Sequence, residues 1–186
     1  VKIYIVRHGQ TLWNIEKKIQ SWGDSPLTEE GIKCSKEVGV KLNSIEFKKI
    51  YSSDVGRAIK TSELIRGDRN INIIEVPEFR EINLERWRGK CFESFQGVEK
   101  EDYHTLFNFP HKYIPNNDES YEQFYNRVKK ACKNIINENK EGNILIVTHF
   151  HTIRAILAYL KEIPLDKLAE EIVYIKNNEV IEIELA

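Results

Sequence analysis

Arg7 and His8 follow an apolar stretch, Val1, Ile3, Ile5 and Val6, and precede Gly9, which lets the chain turn sharply. A guanidinium fork beside an imidazole can hold an anion and attack it. Three more apolar stretches end in a similar way. Residues 47–51 run into Ser52, Ser53 and then Arg57; residues 71–76 lead to Arg80 and Glu81; residues 144–147 end at Thr148 and His149. Brought together, Arg7, Arg57, His8, His149 and Glu81 would cage a phosphoryl group and supply a nucleophile and a proton donor. Guanidiniums suit such a cage because they are always charged and fork-shaped, and the charge of phosphoryl transfer is spread over several oxygens. The imidazole attacks only when neutral, so a backbone carbonyl bonded to its other N–H is expected to fix the tautomer. Partial burial is expected to raise the pKa of Glu81 so that it can act as an acid.

These groups converge only if the stretches that carry them lie parallel. Residues 2–6 read as a buried strand and residues 7–27 as a polar loop. Thr28 reads as an N-cap, with Glu29 and Glu30 at the positive end of a helix whose apolar face is Ile32, Val38, Leu42 and Ile45. A strand at 47–51, a helix at 54–66 and a strand at 71–76 follow. Residues 77–118 are irregular and rich in aromatics, with a short helix near 93–105. A long helix over 120–139, a strand over 143–148 and a helix over 151–161 come next. The spacing then predicts a C-terminal hairpin, 172–175 paired with 180–185 around Asn177 and Asn178. Strands alternating with helices predict an α/β protein, a three-layer α/β/α sandwich with a largely parallel central sheet. In such sheets ligands bind at the carboxyl ends of the strands.

The 186 residues fit one domain, 1–186, with an aromatic-rich insert at about 85–120. A hydrophobic share of 41% with 31% charged residues is ordinary for a globular chain. The net charge of −1 gives no overall field towards nucleic acid or membrane, so neither is expected as a partner. Cys34, Cys91 and Cys132 are odd in number and far apart, which fits a reducing, cytoplasmic setting. No apolar run approaches the ~18 residues of a membrane span. Oligomeric state is not readable from the sequence.

Six blocks in order carry a family resemblance. They are Arg7-His8-Gly9-Gln10-Thr11 with Trp13-Asn14; Gln20 with Asp24-Ser25-Pro26-Leu27-Thr28 and Gly31; Tyr51-Ser52-Ser53-Asp54 with Arg57-Ala58 and Thr61; Arg80-Glu81 with Trp87 and Gly89; Glu119-Ser120 with Arg127; and Val147-Thr148-His149 with Ile153-Arg154. With them the chain resembles the histidine phosphatase superfamily, also called phosphoglycerate mutase-like, over nearly its whole length. The resemblance implies that His8 is the nucleophile of a phosphohistidine mechanism. It implies that Arg7, Arg57 and His149 surround the phosphoryl group, with Asn14, Gln20 and the backbone of Phe150 as substrate contacts. Glu81 would protonate the leaving oxygen and then activate water. No metal or other cofactor is required, since the arginines supply the positive charge. The implied partner is a small phosphomonoester, α-ribazole 5′-phosphate or a broad range of such esters.

The alternatives are a phosphoglycerate mutase-type transfer and a phosphate-binding module without turnover. Mutases that resemble this chain carry an extra insert near the site, and its shortness there favours hydrolysis. Three positions depart from the family pattern: Lys18 where an arginine is common, Phe150 where glycine follows the second histidine, and Glu85-Arg86 before Trp87. Two other chemistries compete on residue types. His149 and His151 form an H-x-H pair that Asp54 and Glu81 could complete as a metal site. No cysteine has an arginine six residues on, and no G-x-x-x-x-G-K-[ST] loop occurs, which argues against cysteine phosphatases and nucleoside triphosphatases. The aromatic insert is expected to set specificity, with one or two of its rings facing the pocket and the rest packing it onto the domain.

Overall fold

The computed structural model describes residues 1–172 and 174–185. In chain order the elements are β1 (Lys2–Arg7), α1 (Leu12–Ile15), α2 (Glu29–Lys41), β2 (Phe47–Ser52), α3 (Gly56–Arg66), β3 (Ile73–Glu75), α4 (Gly97–Asn108), α5 (Tyr121–Glu138), β4 (Asn143–Thr148), α6 (Phe150–Leu160), α7 (Leu168–Glu171) and β5 (Val180–Glu184). The strands form one mixed sheet in the order β3-β2-β4-β1-β5. β1 to β4 are parallel and only the edge strand β5 runs antiparallel, against β1. Because β4 lies between β1 and β2, the carboxyl ends of those three strands are neighbours.

The sheet is apolar on both faces, as expected of parallel strands covered by helices on either side. Ile3, Ile5, Ile144 and Ile146 point into a core shared with Phe124, Val128 and Ile135 of α5 and Ile153 and Ile156 of α6. The intervening residues Tyr4, Val6, Leu145 and Val147 point the other way, onto Val38 of α2 and Ala58 and Ile65 of α3. This is the α/β/α arrangement that the alternation of elements predicts. α6 is buried from Phe150 to Ala158, because the insert covers the side that faces away from the sheet: Arg154 Nη1 donates to the Phe107 carbonyl of α4 at 2.9 Å.

Local signals set the ends of the elements. The Thr28 hydroxyl accepts the Gly31 N–H at 2.9 Å and starts α2. Ser120 and Gln123 form a reciprocal capping box that starts α5. The turn after β1 packs tightly on α2: a Cβ on Gly31 would lie 2.2 Å from the Gln10 carbonyl oxygen, and one on Gly9 would lie 2.9 Å from the Gly31 carbonyl oxygen. Only glycines permit that approach.

Four expectations need correction. The 7–27 loop contains α1, capped by Thr11 and Asn14. The third strand shrinks from 71–76 to Ile73–Glu75, and the short helix of the insert runs over Gly97–Asn108 rather than 93–105. The C-terminal hairpin does not form. Val173 lies outside the described residues, and Ile172, Tyr174 and Ile175 are not strand. Residues 174–178 bond to the end of β1 instead: the Ile175 carbonyl accepts from Arg7 Nη1 at 2.6 Å, and Asn178 N–H donates to the Arg7 carbonyl at 3.0 Å. β5 pairs with β1, not with an adjacent strand.

Candidate active site

The turn after β1 fixes His8 from both ring nitrogens. Its backbone N–H bonds the Thr148 carbonyl of β4 at 2.9 Å, which locks the strand ends together. Nδ1 lies 2.8 Å from the Gly9 carbonyl, and Nε2 accepts from Arg57 Nε at 3.3 Å. A carbonyl can only accept, so Nδ1 carries the proton and Nε2 keeps its lone pair. Burial, then the charges of Arg57 and Arg7, hold the ring far below the ordinary histidine pKa of 6.5. His8 is therefore held in its neutral form, with its lone-pair nitrogen beside a guanidinium.

Arg57, in the first turn of α3, is 2% exposed and almost fully engaged. Nη1 donates to the Gly23 carbonyl and to Asp24, and Nη2 donates to the Ser21 carbonyl. These bonds aim Nε at His8. Asp24 also accepts the Arg57 backbone N–H at 3.2 Å, so the loop before α2 and the start of α3 hold each other. Thr61 closes the ring of contacts, accepting the Gly9 N–H and donating to the Arg57 carbonyl.

Glu81 reaches the same cavity from the segment after β3. One carboxylate oxygen accepts the N–H groups of Ile82 and Thr152, and the other accepts that of His151 at 3.0 Å. The carboxylate thus sits on the N-terminus of α6. Burial nevertheless pushes its pKa above the ordinary 4.5, outweighing these N–H bonds and the charges of Arg57 and Arg7. A buttress holds its backbone. The Glu81 carbonyl accepts from Trp22 Nε1 and from Arg127 Nη2, both at 2.8 Å, and Arg127 is paired with Glu119. The Glu119-Ser120 and Arg127 block therefore supports Glu81 rather than entering the cavity.

His149 lies one ring behind His8, with centroids 5.3 Å apart, and its Nε2 is 2.8 Å from the Ser53 hydroxyl. Burial first, then Arg57 and His8, lowers its pKa far below the ordinary value. His151 is packed edge-on to Phe107 at 4.8 Å and to Phe150 at 4.9 Å. Asp54 is tied to Arg80 by a bidentate pair. His149, His151, Asp54 and Glu81 thus face different partners. Among the described residues, no group of three or more His, Cys, Asp and Glu side chains is placed to hold a metal ion.

The cavity over His8 has a volume of about 470 Å³. Of the residues the sequence places around the ligand, Arg7, Arg57, Glu81, Asn14, Gln20 and Phe150 line it, whereas His149, behind His8, is not part of the wall. The Asn14 carbonyl oxygen is committed to Thr11, while Gln20 accepts from Ser25 at 3.1 Å. Lys18 is on the rim, paired with Glu16 at 2.6 Å. Three rings of the insert face the cavity, Phe92, Tyr103 and Phe107, rather than one or two. Trp87 is not among them. It is 0% exposed and packs against Phe95, Tyr103 and Tyr113, with the Arg86 guanidinium 4.2 Å from its ring centre. Sequence reasoning also missed Trp13, Tyr174 and Asn177 in the wall. Asn177, which the sequence suggests only as a turn residue, donates to the His8 carbonyl at 2.9 Å. No periodicity could have placed these three, since they reach the site by tertiary contact.

The fold recurs in known proteins. The solved structure of Bacillus stearothermophilus YhfR superposes with a TM-score of 0.93 at 34% identity, covering 100% of this chain and 91% of that one. The adenosylcobalamin/α-ribazole phosphatase of Escherichia coli K12 is 25% identical over 90% of this chain and 83% of its own length. The phosphoserine phosphatase of Entamoeba histolytica, solved with 3-phosphoglyceric acid, has a TM-score of 0.82 at 26% identity, covering 97% of this chain and 89% of that one. Residues 3–186 match the family model of the histidine phosphatase superfamily (branch 1), and the chain belongs to that family of phosphoric monoester hydrolases.

Proposed function

We propose that this protein is a metal-independent phosphomonoesterase that hydrolyses a small phosphorylated metabolite through a phosphohistidine on His8. The observation that carries the reading is the tautomer of His8: Nδ1–H is spent on the Gly9 carbonyl while Nε2 faces Arg57 in a cavity shared with Glu81. In the first step Nε2 attacks phosphorus, the P–N bond forms and the P–O bond breaks. Protonated Glu81 gives its proton to the departing oxygen. Arg57 Nε loses its acceptor as Nε2 becomes bonded and turns to a phosphoryl oxygen, where Arg7 also binds. His149, held by Ser53, packs behind His8 and supports the nucleophile's ring from the far side of the cavity wall. In the second step Glu81, now ionised, takes a proton from water as it attacks phosphorus and the P–N bond breaks. The positive charge of both steps comes from the chain itself, so the reading needs no cofactor.

The residues from 85 to 120 act in this reading as an aromatic lid on one domain of residues 1–186. The lid is fastened to the loop beneath it: Gly89 N–H bonds the Ile19 carbonyl, Ile19 N–H bonds the Lys90 carbonyl, and Phe92 N–H bonds the Lys17 carbonyl. Its rings favour an alcohol with apolar or ring character. α-Ribazole 5′-phosphate is one such ester, and a broad range of esters is compatible with the same wall. A cytoplasmic setting fits the three free cysteines.

The test is hydrolysis of p-nitrophenyl phosphate in excess EDTA by wild type and His8→Ala, with acid-quenched protein examined for an acid-labile phosphohistidine. EDTA-resistant turnover that disappears with His8 supports the reading. Turnover abolished by EDTA overturns metal independence. Interconversion of 3- and 2-phosphoglycerate faster than release of phosphate would make the protein a mutase. Phosphate binding with no turnover of any ester would make it a binding module.

A further inference from the structure

The connector from α7 to β5 crosses the carboxyl end of β1 and brings Tyr174 to the cavity. Its contacts centre on Arg7. The Tyr174 hydroxyl is 3.4 Å from Arg7 Nη1, whose stronger bond is to the Ile175 carbonyl at 2.6 Å. The Arg7 guanidinium carbon lies 5.7 Å from the centre of the Tyr174 ring and 5.4 Å from that of Phe150. The two rings are 5.7 Å apart, tilted by 38°. Arg7 is thus held by two aromatic rings and tethered at one corner. Among the described residues its Nε is buried without a partner, which leaves that edge of the fork for an anion.

Phe107 stacks on Phe150, with centroids 5.3 Å apart and planes 21° apart. Phe107, Phe150 and Tyr174 therefore form a continuous apolar band beside the phosphate-holding arginine. They come from three separate elements, and only Phe107 belongs to the insert. Tyr174 is also 61% exposed, so much of its ring is uncovered while it lines the cavity. An uncovered ring next to a half-buried guanidinium suits a ligand with an anion at one end and a ring at the other.

We propose that Tyr174 is a specificity-determining residue of this site: its ring receives the ring of an aromatic leaving group, while its contact with Arg7 links that occupancy to the phosphoryl end. The inference rests on the phosphomonoesterase reading for its substrates, but its binding test does not depend on turnover. Tyr174 takes no part in bond making or breaking.

The experiment measures Kd for benzylphosphonate and ethylphosphonate, which cannot be hydrolysed at the C–P bond by this route, in wild type, Tyr174→Ala and Tyr174→Phe. It adds kcat and KM for benzyl and ethyl phosphate, two esters of primary alcohols that differ by the ring. Wild type is expected to prefer the benzyl member of each pair by about tenfold, the scale of one good aromatic contact. Tyr174→Ala is expected to erase most of that preference, chiefly through Kd and KM. Tyr174→Phe, which keeps the ring, is expected to restore it. An unchanged benzyl-to-ethyl ratio in Tyr174→Ala overturns the proposal, and so does an equal loss on both members. If the binding preference behaves as expected while neither ester is hydrolysed, the assignment of Tyr174 stands and the phosphatase reading fails.

Discussion

The strand-end cage and the aromatic insert face the same cavity but are built on opposite principles. In the cage His8, Arg57 and Glu81 are positioned by hydrogen bonds, and only Arg7 also rests on rings. His8 is held at both ring nitrogens, Arg57 by three backbone or carboxylate partners, and Glu81 by three backbone N–H groups. In the insert the rings that face the cavity are positioned by other rings. Tyr103 packs on Phe92 at 5.5 Å and on Phe107 at 4.9 Å, and all are anchored on Trp87 or its neighbours. Directional bonds fix atoms to within fractions of an ångström, which bond-making chemistry demands. Ring packing tolerates change of shape, which suits a wall that discriminates among alcohols. The comparison predicts that damage to the cage removes rate for all substrates, whereas damage to the insert changes stability or the ranking of substrates.

The largest effect is expected from His8→Ala, which should lower kcat for p-nitrophenyl phosphate by about 10³-fold or more and abolish the phosphohistidine, since nucleophile and partners act as a unit. A variant retaining phosphoenzyme would break the distinction at its root. Next, Glu81→Gln should reduce kcat about 10²–10⁴-fold for poor leaving groups and much less for p-nitrophenolate, which needs little protonation. Its pH profile sharpens the point. Glu81 has a raised pKa and, in the proposed mechanism, is protonated for the first step, so wild-type kcat/KM should fall on the alkaline side as it ionises. His8 has a lowered pKa and must be neutral, so the acid limb should lie below the ordinary 6.5. Glu81→Gln should lose the alkaline limb that belongs to the enzyme and keep that of the substrate phosphate, near a pKa of about 6.

In the insert, Trp87→Ala should cost about 3–5 kcal/mol in urea unfolding, because it empties a fully buried site. If the variant folds, its effect on the ranking of substrates should be smaller than that of Phe107→Ala, whose ring lines the cavity. Phe107→Ala should shift relative kcat/KM between ring and non-ring esters by about tenfold. The reverse order would show that the insert acts through its core and not through its wall.

The smallest effect is a pH dependence of stability from the cage. His8, His149 and His151 all have folded pKa values far below the unfolded 6.5. Below that value the unfolded chain binds more protons, so their contribution should be full above pH 6.5 and be lost as pH falls towards the folded values. Glu81 acts in the opposite sense. With its folded pKa raised, it adds stability below the unfolded value of 4.5 that disappears as pH rises through the folded pKa. Urea midpoints from neutral to mildly acid pH, in wild type and His151→Phe, would show whether removing one buried histidine flattens the fall.

The succession of β1 to β4 with the long helices between them, the α/β/α layers and the five groups near the strand ends are legible in the residues alone, while α1, α7 and the path of residues 172–178 are not. The legible features follow from local rules: apolar runs bounded by polar turns, caps such as Thr28 and Ser120, and an Arg-His pair that an apolar strand delivers to one edge. The sequence also indicated that a carbonyl should fix the nucleophile's tautomer, because the chemistry requires it. The tertiary structure alone decided which carbonyl does so, that Ser53 holds His149, and that Arg127 and Glu119 brace Glu81. It likewise decided that Trp87 is core while Phe107 is wall, and that residues 174–177 bind the turn after β1 instead of forming a hairpin arm. The reason is physical. Periodicity records which residues leave water, but not which of several equally apolar rings meets a cavity. Nor does it record which distant backbone group satisfies a given donor, since that is settled only when the layers pack.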